Sequence, residues 1–212
     1  MRRPRVGGVG LLARRAAGED ERGVDPGAAV QFHLSGRDRG TAFVVGSQAL
    51  VDHVSAAGLR IVNRTPFATR ADVVVVGAHD DFAYEELRTA TQAVLRGAEL
   101  IGATRDATFP MPDGPWPGTG AVLAAIEAAS GRRASLVVGK PEPPMYEAAR
   151  DRLGQGRCIA VGDRLEIDVL GARRAGMDSA LVLTGGATRA QADGAEPKPT
   201  LVAESLAALV LQ

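Results

Sequence analysis

Residues 136 to 186 read LVVGKPEPPMYEAARDRLGQGRCIAVGDRLEIDVLGARRAGMDSALVLTGG, and this stretch decides the fold. An apolar run ends at Lys140, a helical stretch follows, and a second run, Cys158 to Val161, ends in Gly162-Asp163. Asp168 lies five residues beyond Asp163, before a second helix and a third run, Ala180 to Leu183. Short apolar runs alternating with helices predict parallel strands joined by crossovers, an α/β architecture. Chemistry in such sheets gathers at the carboxyl ends of the strands, where Lys140 and Asp163 both fall.

The helices between the runs are marked locally. Pro143 and Pro144 suit a first turn, Met145, Ala149 and Leu153 recur on one face, and Gly154 follows as a stop. The next helix is expected to bury Ile167 and Leu170, to carry Arg173 and Arg174 in its last turn and to stop at Gly176. Asp168 falls near its start, where the helix dipole favours a carboxylate. A cation and two carboxylates on one rim point to a site for phosphate and Mg2+, since magnesium takes oxygen ligands and shares them with phosphate. Taken singly, the same residues read more plainly. A strand-end Asp also serves as a helix N-cap, and a lone Lys is usually a solvated charge. Gly139-Lys140 is not a Walker loop, because Ala134 and Pro141 stand where that loop needs Gly and Ser or Thr.

Together and in order, these residues resemble motifs three and four of the haloacid dehalogenase (HAD) superfamily of phosphotransferases. Gly139-Lys140-Pro141, Val161-Gly162-Asp163-Arg164-Leu165 with Asp168, Gly171 and Ala175-Gly176, and Leu181-Val182-Leu183-Thr184-Gly185 are similar to the subfamily with the type IIA cap. That group includes nucleotide, para-nitrophenyl phosphate and phosphoglycolate phosphatases. The resemblance implies a Rossmann-like core plus an α/β cap domain, and a small phosphorylated metabolite as substrate. By the same resemblance Asp163 would ligate Mg2+, Asp168 would hold a metal-bound water or support Asp163, and Lys140 would neutralise phosphate oxygens and the attacking carboxylate. A response-regulator receiver also sets carboxylates and a Lys on parallel strands, but there the Lys follows the acidic residues, whereas Lys140 precedes Asp163.

The 212 residues can bury a sizeable core, as one large domain or two small ones. Lys plus Arg number 25, as do Asp plus Glu, so no global field recruits nucleic acid or membrane as a partner. No apolar run approaches the ~18 residues of a membrane span. The basic first residues lead into no signal-peptide core, and a cytoplasmic location is expected. The single cysteine, Cys158, falls inside an expected strand and reads as core.

Residues 1 to 40 hold eight Arg, eight Gly and no Lys, and are expected to be loop or irregular tail, with at most a short strand or helical turn at Ala28 to Phe32. From Thr41 the pattern is regular. Strands are expected at Ala42 to Val45, Leu59 to Val62, Asp72 to Val76 and Glu99 to Ala103, the third containing four consecutive valines, as a strand covered on both faces would. Helices are expected after Ser47, from about Ala83 to Arg96 with Leu87, Val94 and Leu95 inward, and around Val122, Leu123 and Ile126 up to Gly131. Asp80-Asp81 read as N-cap residues of the second. Residues 106 to 118 and 188 to 200 read as loops, the latter before a last helix around Leu206, Leu209 and Val210. This half resembles the subfamily's cap at Val75-Val76-Gly77, Tyr84-Glu85-Glu86-Leu87, Gly97-Ala98, Arg105-Asp106, Phe109-Pro110 and Pro117-Gly118-Thr119-Gly120. Arg105 and Asp106 are then candidate substrate contacts. Ala103-Thr104 stand where the family usually has Thr-Asn, and Ile167 where it commonly has Thr. The expected division is 1–40 irregular, 41–133 cap, and 134–212 the C-terminal part of the core.

The family's chemistry begins with an Asp-x-Asp on a first strand, whose first Asp attacks phosphorus. None precedes Thr41. Each strand-helix-strand unit needs ~30 residues, which forty Gly- and Arg-rich residues cannot supply. The expectation is therefore a core lacking its first strands and a catalytic set whose nucleophile is absent. A truncated or frame-shifted reading of a longer gene would produce this, and so would true domain loss. Two Lys against 23 Arg point to GC-rich coding DNA, whose wrong-frame translation resembles residues 1 to 40. Two function classes follow: a phosphatase represented by an incomplete chain, or a non-catalytic relic or binding module. Loss of the first strand should leave the Cys158 to Val161 strand with an unpaired apolar edge, which predicts a homodimer, aggregation, or an improvised strand from residues 1 to 40.

Overall fold

The four valines at 73–76 form a strand paired on both sides with every side chain buried. They belong to a computed structural model that describes residues 24–37 and 40–210. The described residues divide into two units, one of Pro26–Gly139 and the other comprising the chain from Lys140.

The Pro26–Gly139 unit opens with helix α1, Pro26–Leu34, where a loop or single turn is expected from composition. Pro26 takes the first helical position, for which its fixed φ is suited. Ala28, Ala29, Val30 and Leu34 are buried, and the helix packs on α2 (Gln48–Ala56). Small apolar side chains with no periodic polar partner give little pattern to read, yet they let the helix approach closely. Strand β1 is Thr41–Val45, β2 Arg60–Ile61 and β3 Val73–Val76. Helix α3, Tyr84–Leu95, precedes β4, Glu99–Gly102. The expected loop at 106–118 is instead an antiparallel hairpin of β5, Thr108–Met111, and β6, Gly114–Pro117. Its two-residue turn is Pro112-Asp113, with Gly114 at the fourth position, an order that suits a tight turn. Trp116 packs on Phe109 and donates to the Asp113 carboxylate at 2.8 Å. Helix α4, Thr119–Ser130, stops at Gly131, whose φ of 65° is left-handed, and β7 is Leu136–Val137.

The sheet order is β2-β1-β3-β4-β7, all parallel. Its core joins Val45, Val74 and Val76 of the sheet to Ala90, Ala93 and Val94 of α3 and Leu123 and Ile126 of α4. Two details differ from expectation. Leu95 is 57% exposed, because the buried face of α3 runs through Thr89, Ala90, Ala93 and Val94. Ala83, not Asp80 or Asp81, is the N-cap of α3, and Glu86 reaches back to accept its N–H at 2.9 Å.

The second unit holds α5, Pro143–Leu153, β8, Ile159–Gly162, and a π-helical turn, Leu165–Val169, that leads into α6, Leu170–Arg174. Strand β9 is Asp178–Val182. The expected loop at 188–200 contains α7, Arg189–Asp193, closed by a Thr188/Gln191 capping box, and precedes β10, Leu201–Ala203, and α8, Leu206–Val210. The sheet order is β10-β9-β8, all parallel. Among the described residues β8 pairs only with β9, and its Ile159 is 39% exposed. Cys158 lies one residue before β8, half-buried. The π turn also moves the inward face: Asp168, Val169 and Ala172 are buried, while Ile167 and Leu170 are half-buried. Residues 1–23, the other possible source of an improvised strand, lie outside the described residues. No described helix is long and apolar enough to cross a membrane.

Candidate active site

Lys140 precedes α5, and its Nζ lies 2.7 Å from Asp168 Oδ1. Both side chains are largely withdrawn from solvent, at 16% and 6% exposure. At that burial each charge needs the other, since an unpaired buried ion costs several kcal/mol. The second oxygen of Asp168 accepts the Arg164 N–H at 3.2 Å. Asp168 therefore ties the lysine to the turn that follows β8.

The π turn produces this geometry. An extra residue in the turn carries Asp168 onto Gly162, where a Cβ would overlap the Asp168 side chain. Behind it, the hydroxyl of buried Tyr146 on α5 donates to the carbonyls of Ile167 at 3.3 Å and Asp168 at 3.2 Å. The Tyr146 ring lies against Gly171, again where no Cβ would fit. Burial, with the nearby Asp168 charge adding to it, pushes the Tyr146 phenol well above its usual range, so it remains a donor. Tyr146 is absent from the expected helix face of Met145, Ala149 and Leu153. Its signal was the glycine at 171, which leaves room for a ring.

Asp163 ends β8. It packs against Gly185, after β9, closely enough that a Cβ there would strike the carboxylate. Asp163 is half-buried, and among the described residues its carboxylate makes no hydrogen bond or ion pair. The two carboxylates thus differ: both Asp168 oxygens are engaged, whereas those of Asp163 are available to a hard cation. Among the described residues no group of three or more His, Cys, Asp or Glu could hold a metal ion. A magnesium ion fits here only with one principal protein carboxylate, the remaining oxygens coming from water or phosphate, as that ion commonly allows.

Arg105 and Asp106 lie in the Pro26–Gly139 unit. Arg105 forms a two-pronged pair with Glu127 of α4, at 3.2 and 3.0 Å, and Arg133 adds a third contact at 3.0 Å. Glu127 is buried and also accepts the Ala134 N–H at 2.9 Å. The Arg105 guanidinium, with the other donors, holds its carboxyl down at about 2. The Asp106 carbonyl accepts the Gly120 N–H at 2.8 Å, closing the base of the hairpin. The sequence reading missed Glu127, although a lone carboxylate in AAIEAAS on an otherwise apolar face marks it.

A family profile described as HAD-hydrolase-like matches residues 137–209. The chain superposes on p-nitrophenyl phosphatase from Archaeoglobus fulgidus with a TM-score of 0.76 and 33% identity, covering 88% of this chain and 72% of that one. The chain belongs to the HAD superfamily. Its subfamily is the one with the type IIA cap, and its mixed α/β architecture is that of a Rossmann-like core plus cap. A glycerol phosphate phosphatase from Mycobacterium tuberculosis, solved with magnesium, matches with a TM-score of 0.79 and 35% identity over 88% of this chain and 57% of that one. Human chronophin is 43% identical over 155 residues, 69% of this chain and 52% of its own length. The chain spans about half the length of the curated relatives it matches.

Proposed function

We propose that this chain carries the cap and the metal-side rim of a magnesium-dependent phosphatase of small phosphate monoesters. The observation that carries this reading is the withdrawn Lys140–Asp168 pair, at 2.7 Å, fixed to the turn after β8 while the Asp163 carboxylate at the strand end stays uncommitted. The relatives lend support: among them are a D-glycerol 3-phosphate phosphatase from Mycobacterium tuberculosis and the sugar-phosphatase AraL from Bacillus subtilis. In this reading the Pro26–Gly139 unit is the cap and the chain from Lys140 is the C-terminal part of the core.

Each residue then has a role. Asp163 is the principal ligand to Mg2+. Asp168 contributes through a metal-bound water and by orienting Lys140. Lys140 neutralises phosphate oxygens, whose charge otherwise repels an attacking carboxylate. Magnesium, when bound, lowers the cost of charge on the transferring phosphoryl group. Asp106 remains a substrate contact of the cap, and Arg105 holds its loop through Glu127. Tyr146 keeps the π turn in register.

The 212-residue chain does not itself hydrolyse phosphate monoesters, because it contains no Asp-x-Asp. Losing a covalent nucleophile forfeits several powers of ten in rate. The test compares p-nitrophenyl phosphate turnover, with Mg2+, by the 212-residue chain and by one extended upstream to any in-frame Asp-x-Asp. Activity confined to the extended chain supports the proposal. Magnesium-dependent turnover by the short chain, abolished by Asp163→Ala, overturns it. A stable, ordered protein with no turnover in either form supports the binding-module reading instead.

A further inference from the structure

In the second unit a cavity of about 550 Å³ lies at the amino ends of β8 and β9. Its lining includes Arg150, Arg157, Arg173, Cys158, Gly156 and Asp178. Cys158 immediately precedes β8 and Asp163 immediately follows it, so this cavity and the carboxylate rim occupy opposite ends of one strand. At ~3.3 Å per residue along a strand, they stand roughly 15 Å apart.

Three arginines and one acidic residue, Asp178, are among the residues that line the cavity. The Asp178 carboxylate neutralises part of this charge, at 3.5 Å from Arg157. Arg150 spends one of its donors on the Ala175 carbonyl at 3.3 Å. Among the described residues the Arg173 guanidinium forms no hydrogen bond or ion pair. Planar guanidinium donors recognise phosphate oxygens in two-pronged fashion, and several cations around one concavity repel one another until an anion enters. Nothing in the proposed chemistry at Lys140, Asp163 and Asp168 uses this end of the strand.

We infer that this cavity binds a phosphate-bearing dianion through Arg150, Arg157 and Arg173, at a site separate from the carboxylate rim. It stands whether or not the chain belongs to an active phosphatase. The ligand is either free phosphate or the phosphate of a small monoester, and the two are separable by experiment.

Cys158, the single cysteine, lines the cavity and provides the readout. Its reaction with N-ethylmaleimide, a neutral reagent, is followed by mass spectrometry against increasing inorganic phosphate, and separately against β-glycerophosphate, at constant ionic strength with chloride as reference. Saturable slowing of at least threefold by phosphate, retained in Lys140→Met/Asp168→Leu and lost in Arg157→Ala/Arg173→Ala, is the expected result. Stronger protection by the monoester identifies a phosphorylated metabolite; equal or weaker protection identifies free phosphate. Slowing that chloride reproduces, that persists in the double-arginine variant, or that disappears in Lys140→Met/Asp168→Leu would overturn the inference. Arg157 is 96% exposed and Arg173 is uncommitted, so the double variant keeps the fold, which circular dichroism verifies. Phosphate calorimetry on the unsubstituted chain and on Arg157→Ala alone provides a second measurement.

Discussion

The two units use the same parallel strand-and-helix repeat but close it differently. In the Pro26–Gly139 unit β1, β3 and β4 are nearly all buried, and one continuous apolar core joins them to α3 and α4. The unit from Lys140 has two small clusters, one around Tyr146, Ala160 and Ala172, the other around Val169, Leu181 and Ala192. It also withdraws the Lys140–Asp168 pair from solvent and leaves β8 as an edge among the described residues. The unit with the weaker apolar closure is the one carrying the candidate site. Buried charge there is held by geometry at a net energetic cost, and the apolar unit offers the scaffold against which that cost can be measured.

Two truncations make the contrast sharpest. Leu123→Ala removes a wholly buried side chain from the larger core and should cost about 3–4 kcal/mol in denaturant unfolding. Asp168→Ala should cost about 3 kcal/mol by a different route, the stranding of Lys140. The double change Lys140→Met/Asp168→Leu should recover most of that loss. If Asp168→Ala is neutral, or the double variant is no better, the pair is not the buried ion pair described.

An acid titration probes the ion-pair cluster of the larger unit. Glu127 titrates at about 2, down from an ordinary 4.5, with the Arg105 bonds as the main cause. A depressed carboxyl contributes stability that is complete above about 4.5 and is lost as pH falls through about 2. The midpoint of thermal unfolding should therefore fall between these pH values, and fall less steeply in Glu127→Gln. Equal slopes would remove Glu127 from the account.

The smallest effect expected is at the β8 edge. Unpaired apolar edges template association, and Ile159 is 39% exposed. Sedimentation velocity should show self-association that weakens in Ile159→Lys. A monomer at all concentrations, unchanged by the substitution, would mean that the edge is covered.

Much of this was legible in the sequence because apolar runs, prolines and stopping glycines report local physics. The valines of β3, Pro143 and Gly154 at the ends of α5, and Gly131 after α4 all stand where pattern places them. Lys140 and Asp168, 28 residues apart in the chain, come together as the strand-helix order implies. What was illegible depends on contacts between distant residues. The π turn has no periodic signature, and it turns Asp168 inward in place of Ile167. The engagement of Arg105 by Glu127 spans 22 residues and gives Arg105 a structural partner that local pattern does not announce. Helix α1 was hidden by a composition that resembles a tail.

In the proposed site Asp163 supplies the free carboxylate for magnesium while Asp168 is spent on Lys140. Calorimetric titration of Mg2+ into the 212-residue chain, its Asp163→Asn variant and its Asp168→Asn variant tests this directly. Weak binding is predicted, as one principal carboxylate without substrate phosphate holds magnesium poorly. It should be abolished by Asp163→Asn and only reduced by Asp168→Asn. Tight binding that survives Asp163→Asn would contradict the account.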